Sequence, residues 1–249
     1  MQANSGNRFG LGGFLLGLLL SAGLIISTAQ VTRVWLHIAD SQVITVTGAA
    51  RQDVTSDLAV WSADYSAEGE TLLEAQQKLQ AYSEKVAAFF TERNITNAEI
   101  SAITIQRLKP QANQFSQDAS TEKTVGYHLQ QNIHLESADV GQVVELQQQS
   151  VVLVEQGVEL DDQGIQFIYT KAAEAKIEML AEATKDARQR AEQIANQGGR
   201  KIKGLRSAKM GVFQITAKNS NDTSAEGVDD TTTKDKTIRA VVSANFTME

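Results

Sequence analysis

The sequence predicts an α+β chain: a mostly antiparallel sheet with repeated strand–helix–strand units and a long alanine-rich helix, preceded by one N-terminal transmembrane helix. Three observations predict it. Runs such as residues 57–67 alternate, the period of two that a half-buried strand needs. Between such runs, apolar residues recur every three or four positions, as on a helix with one buried stripe. Residues 9–29, FGLGGFLLGLLLSAGLIISTA, carry no charge.

That apolar segment comes first in the chain. No charged residue lies between Arg8 and Arg33, and about 20 apolar residues suffice to cross a bilayer as a helix. Residues 9–30 read as a signal-anchor or as a signal peptide cleaved at the small residues Ser27 and Ala29, before Gln30. The length of the run, continued by Val31, Val34, Trp35 and Leu36, favours the retained anchor. Either reading exports the remainder of the chain. Residues 1–8 then form a short cytoplasmic tail and residues 31–40 a linker. Gly13 and Gly17 make a GxxxG pair through which two membrane helices could pack.

The exported part opens with VITVTG, residues 43–48, a short strand ending on glycine. In residues 57–67, Ala59, Trp61, Ala63, Tyr65 and Ala67 share one face, and Ser62, Asp64, Ser66 and Glu68 the other. A helix follows, with its stripe at Leu72, Ala75, Leu79, Tyr82, Val86 and Phe89 and a stop at Asn94. SAITIQRL, residues 101–108, is another strand. Residues 109–122, polar and holding the only proline, Pro110, separate two halves at about 41–108 and 123–249.

The second half repeats the shape. In residues 127–136, Tyr127, Leu129, Ile133 and Leu135 share a face. A helical stretch covers roughly 139–155, and GIQFIYT, residues 164–170, is a strand. Residues 171–197 are the strongest helix: Ala175, Met179, Ala183, Ala187, Ala191 and Ala195 form a ridge of mostly small residues that lets another element approach closely. Asp186 with Arg190 and Arg188 with Glu192 are paired at helical spacing, and Gly198 and Gly199 end the helix. Two strands close the chain, within residues 201–216 and at residues 237–247, where Ile238, Ala240, Val242, Ala244 and Phe246 face one way. Residues 218–236, with Val228 as their one sizeable apolar residue, read as a mobile hairpin loop.

Composition narrows the function. A net charge of −7 argues against nucleic acid, which needs a basic face. The absence of cysteine excludes disulfides, thiolate catalysis and cysteine zinc sites. GLGG at residues 10–13 lies in the membrane segment and is no phosphate loop. Asp161 and Asp162 beside Gly164, and Asp229 and Asp230, read as turn residues rather than calcium ligands. The histidines are His37, His128 and His134. The last two share a strand face about 20 Å apart, too far to chelate one metal. No catalytic residue, metal or cofactor is implied. The strip His128, Gln130, Asn132, His134 and Glu136 could line a groove for a ligand.

ITVTGAARQDVTSDLAVWSA, with Gly48 closing one strand and Asp57 opening the next, resembles the opening of the SIMPL-domain family, mostly bacterial envelope proteins. Gly126-Tyr127, then Gly164, Ile165 and Phe167 ahead of the alanine-rich helix, are similar too, so the likeness covers about residues 41–249. The resemblance implies an α+β domain, an extracytoplasmic setting, frequent oligomers and a loose link to stress resistance, with no catalytic residues to carry over. The expectation is a single-pass protein of a bacterial inner membrane, non-enzymatic, its C-terminal domain in the periplasm or outside the cell. It would self-assemble or bind an envelope partner through sheet faces and the alanine ridge. A periplasmic module for a small ligand or peptide, and an enzyme with an unrecognised site, are the alternatives.

Overall fold

The computed structural model describes residues 43–109 and 124–249, and eight helical positions between 17 and 30. Those eight (Gly17, Leu19, Ser21, Gly23, Leu24, Ser27, Thr28 and Gln30) are all exposed. Among the described residues no helix is long and apolar enough to cross a membrane. Most of the segment expected to do so, Gly13 and Ala29 included, lies outside the described residues, as do His37 and Pro110. The chain forms two compact units, each assembled from separate stretches. The larger comprises Ala50–Ala181 and Val212–Ala240; the smaller comprises Met1–Ala49, Glu182–Gly211 and Val241–Glu249.

Strand β1 (Val43–Thr55) runs past Gly48, where the sequence suggested an end. Polar side chains carry it on in the larger unit: Thr237 Oγ1 donates to Asp53 Oδ1 at 2.8 Å, and Thr55 Oγ1 to Asp235 Oδ1 at 2.9 Å. The turn is only Ser56 and Asp57. The Asp57 carboxylate accepts from the Thr170 amide at 2.7 Å and its hydroxyl at 2.8 Å. Those bonds, the backbone one first, hold its pKa below the ordinary value.

The core of the larger unit is a sheet with helices on one face. Its elements are β2 (Leu58–Gly69), α1 (Leu72–Glu92), β3 (Ala98–Ile100), β4 (Thr104–Leu108), β5 (Gly126–Ser137), α2 (Val140–Gln149), α3 (Val151–Glu155) and β6 (Glu159–Ile168). The strand order is β3-β5-β2-β6, with β4 also on β5 and every neighbouring pair antiparallel. Thus β2-α1-β3 and β5-α2-α3-β6 interlock, each unit straddling a strand of the other. This is the ferredoxin-like, split βαβ arrangement. The expected repeat is present, but its two copies share one sheet.

The alternation of β2 delivers the expected face. Ala59, Trp61, Ala63, Tyr65 and Ala67 are buried with Leu129, Ile133 and Leu135, beneath Leu79, Val86, Phe89 and Phe90 of α1 and Val143 and Leu146 of α2. The polar atoms of the two large buried aromatic residues are paired, as burial demands. Trp61 Nε1 donates to Asp162 Oδ1 at 2.9 Å, and Tyr65 OH to Gln131 Oε1 at 2.9 Å. Gln131 is thus the polar member of the inner face of β5. Burial also raises the Tyr65 pKa.

Local signals set the boundaries. Thr71 Oγ1 caps α1 by accepting from the Glu74 amide at 3.2 Å, and Asn94 ends it at φ 57°. Asp139 caps α2, and the expected single helix of 139–155 breaks at Ser150, whose hydroxyl turns back to Gln147 O at 2.7 Å. The strand expected at 101–108 starts pairing only at Thr104, because Ser101 is drawn to Asn132 through backbone and side chain. Asp161 and Asp162 are not turn residues. They lie within β6, where Ser62 faces Gly164 and Ala63 faces Asp162, so Gln163 is an extra residue. Gly164, at φ +85°, makes that bulge possible.

Residues 218–236 are not the unstructured loop their composition suggests. After β8 (Gln214–Ala217), the short β9 (Val228–Asp229) returns parallel to it. Gln214 Nε2 donates to Ser224 O at 2.7 Å, and Arg239 Nη2 to Ser220 O at 2.8 Å. Lys236, only 1% exposed, donates to the Asp230 carbonyl, and the Asp230 carboxylate accepts from the Thr232 and Thr233 hydroxyls. Burial alone would raise the Asp230 pKa; the threonine hydrogen bonds and the nearby Lys236 charge outweigh it and hold the carboxyl at about 2. Polar bonds, rather than apolar burial, order this stretch.

The smaller unit packs around the C-terminal part of α4 (Ala172–Gln197), with β7 (Ile202–Met210) antiparallel to the end of β10 (Asp235–Met248). Ala183, Ala187, Ala191 and Ala195 are all buried, and so are Val242, Ala244 and Phe246. The ridge meets Gly48. A Cβ there would sit 2.1 Å from Ala183 O and 2.4 Å from Ala187 N, so no side chain fits. Ala49 N donates to Asp186 Oδ2 at 2.8 Å, which also accepts from Arg190 Nε at 2.9 Å. The ridge, expected as a surface for partners, is therefore packed within the chain.

Candidate functional site: the outer face of the five-stranded sheet

Antiparallel pairing places directly opposed residues on the same face. With α1, α2 and α3 on the inner face, the register assigns the rest. Glu68 faces His128 and His128 faces Gln106; Ser66 faces Gln130 and Gln130 faces Thr104. Asp64 stands between Asn132 and Asp161, Ser66 also faces Glu159, and Ser62 faces His134, itself opposite Glu99. The strip His128, Gln130, Asn132, His134 and Glu136 is thus one row of a polar face four strands wide. Glu136 is exposed and the other four are half-buried.

Two cross-strand bonds fix part of it. His128 Nδ1 lies 3.2 Å from Glu68 Oε1, and Asn132 Nδ2 donates to Asp64 Oδ1 at 2.9 Å. His128 and His134 stay six residues apart along an unbroken β2–β5 ladder, so they do not converge. Ser62 stands opposite His134, yet no hydrogen bond joins them among the described residues. Nor, among those residues, are three His, Asp or Glu side chains gathered to hold a metal ion.

The face is acidic. Glu68, Asp64, Glu99, Glu136, Glu159 and Asp161 stand at its paired positions, whereas no lysine or arginine does. At its β6 side an open cleft of about 420 Å³ is lined by Ser66, Glu159 and Asp161 together with Val154, Val158 and Leu160. Rows of donors and acceptors spaced about 4.8 Å apart suit an extended polar or basic partner laid across the strands. The residues alone showed the polar faces of β2 and β5. They did not show that Asp64 and Glu68 lie beside Asn132 and His128, because nothing in the local pattern pairs strands 60 residues apart. A second cleft, of about 180 Å³, lies on the helical side and includes Arg93 and Gln149, which no motif marked. Gly13 lies outside the described residues, and Gly17 is helical with nothing within 4 Å of a built Cβ.

The family model described as SIMPL, a protein of unknown function (DUF541), matches residues 44–246. No curated protein matches the chain. The match spans most of the 249 residues, and the chain belongs to the SIMPL family.

Proposed function

We propose that this SIMPL protein is a non-enzymatic component of a bacterial cell envelope. It is held in the inner membrane by residues 9–30 and works by association, with further copies of itself or with an envelope partner. The observation that carries the reading is the outer face of the β3-β5-β2-β6 sheet, a broad array of hydrogen-bonding and acidic side chains. Its polar groups pair with one another across strands instead of converging on one reacting atom, which suits recognition more than turnover. The uncharged run ahead of Arg33 supports the anchor.

The test is the native mass of the full-length protein in detergent, beside a version beginning at Asp40. One large assembly shared by both supports a domain-driven scaffold. A monomeric shorter form beside an associated full-length form assigns association to the membrane segment. Two monomers overturn self-assembly and leave partner binding. Gln130→Lys with Ser66→Lys, two half-buried outer positions, should abolish association while leaving the circular dichroism spectrum intact.

A further inference from the structure

Outside that face, Arg93 at the end of α1 is a firmly held charged group with a donor to spare. Its side chain is only 24% exposed, and three contacts clamp it. Nη1 donates to Phe89 O at 2.9 Å, Nε donates to Gln149 Oε1 at 2.7 Å, and the guanidinium carbon lies 3.9 Å from the centre of the Phe89 ring. A stacked arginine held this way loses little freedom when it binds an oxyanion. Nη2 has no partner among the described residues.

Gln149 does a second thing. Its Nε2 donates to Glu145 Oε1 at 2.9 Å, so an amide stands between the Arg93 cation and the Glu145 anion. The two charges are kept apart rather than joined in an ion pair, and each retains a polar atom for another partner. Both line the cleft of about 180 Å³, with Gln142, Leu146 and Gln149. The Gln142 side-chain amide is also unpartnered among the described residues. Glu92, 3.6 Å from Arg93 Nη1, is 74% exposed and stands at the rim.

From this arrangement we infer that the cleft binds a small free α-amino acid as its zwitterion, carboxylate on Arg93, ammonium on Glu145 and side chain against Leu146. A plain anion would meet Glu145 and Glu92; a plain cation would meet Arg93. A drug-sized ligand needs roughly 300–1,000 Å³, more than is present. The cleft is separate from the outer sheet face, so this inference stands whether or not that face mediates association.

The test is calorimetric titration of the full-length protein in detergent with alanine, propionate, ethylamine and alanyl-alanine. Alanine should bind at least about tenfold more tightly than propionate or ethylamine, each of which lacks one charge-assisted contact. Glu145→Gln, at an exposed position, should weaken alanine by about tenfold and leave propionate no weaker, with an unchanged thermal midpoint. Arg93→Lys should lose alanine binding; if that variant does not fold, Glu145→Gln decides alone. Alanine binding no tighter than propionate, or unchanged in Glu145→Gln, overturns the inference. Alanyl-alanine binding as tightly as alanine overturns the assignment to a free amino acid.

Discussion

The two units pack a helix against a strand in opposite ways. In the larger unit, large side chains fill the gap between α1 and β2: Trp61 lies 6.3 Å from Phe90, centre to centre, and Phe90 sits edge-on to Phe89 at 5.3 Å. In the smaller unit there is no gap to fill, because the backbone of α4 at Ala183 and Ala187 comes within reach of Gly48. A filled gap is damaged by removing atoms, and a close approach by adding them. The two cores should therefore fail under opposite substitutions.

The largest effect is expected from Trp61→Ala, at about 3–5 kcal/mol in chemical unfolding, since the ring is fully buried. Part of the loss would be Asp162 Oδ1, which accepts from the indole nitrogen at 2.9 Å. An unchanged midpoint would break the comparison by showing that the ring does not fill the core. Asp230→Ala should approach the same size, about 3–5 kcal/mol, because it strands the buried Lys236 charge. Gly48→Ala comes next, near 3 kcal/mol, the upper end for overpacking. Its Cβ meets backbone atoms rather than the flexible end of a side chain. If Gly48→Ala were neutral, α4 would have to be free to move off the strand.

Acid sharpens the same contrast. Asp230, held at about 2 by hydrogen bonds from Thr233 and Thr232 and by Lys236 despite its burial, has a depressed folded-state pKa. Its contribution is complete above the unfolded value of about 3.9 and is lost as pH falls from there through about 2. Asp57, lowered first by the Thr170 amide, and Asp186, lowered first by the Ala49 amide, lose stability in the same direction. The urea midpoint should fall between about pH 4 and pH 2, and Asp230→Asn should flatten that slope most.

What could be read from the residues was what depends on neighbours in sequence. The alternation of 57–67, the stripe of α1 and the ladder from Ala175 to Ala195 each specify a face through a local period, and each is buried except at the stripe's first residue, Leu72, which is 40% exposed, and at Tyr82, which is half-buried. What could not be read depends on distant partners. Nothing near Gln214 tells that its side chain will hold Ser224, so residues 218–236 looked structureless. Asp161 and Asp162 resemble a turn until β2 is placed beside them and the extra Gln163 is absorbed as a bulge. Gly48 likewise read as the end of a strand, because the reason for a glycine there is a helix that begins 124 residues later in the chain, at Ala172. The outer sheet face was legible as two polar rows, but not as one surface.

The smallest prediction tests that distinction on a single helix. Arg188 with Glu192 and Asp186 with Arg190 have mirror-image charges at the same spacing, each with a 2.9 Å contact, and look equivalent in sequence. Three of the four side chains are exposed and Asp186 is half-buried at 31%, so as ion pairs each should contribute only about 0.3–0.5 kcal/mol. Asp186 differs because its Oδ2 also accepts from Ala49 N at 2.8 Å, tying α4 to the strand beside Gly48. Arg188→Ala should thus shift the unfolding free energy by no more than about 0.5 kcal/mol. Asp186→Ala should cost about 1 kcal/mol more than that, since it removes a partner from a backbone amide. Arg190→Ala separates the two contributions, for it removes the ion pair and leaves the amide bond in place. If all three substitutions proved equal, the amide contact would add nothing, and the close approach at Gly48 would rest on shape alone.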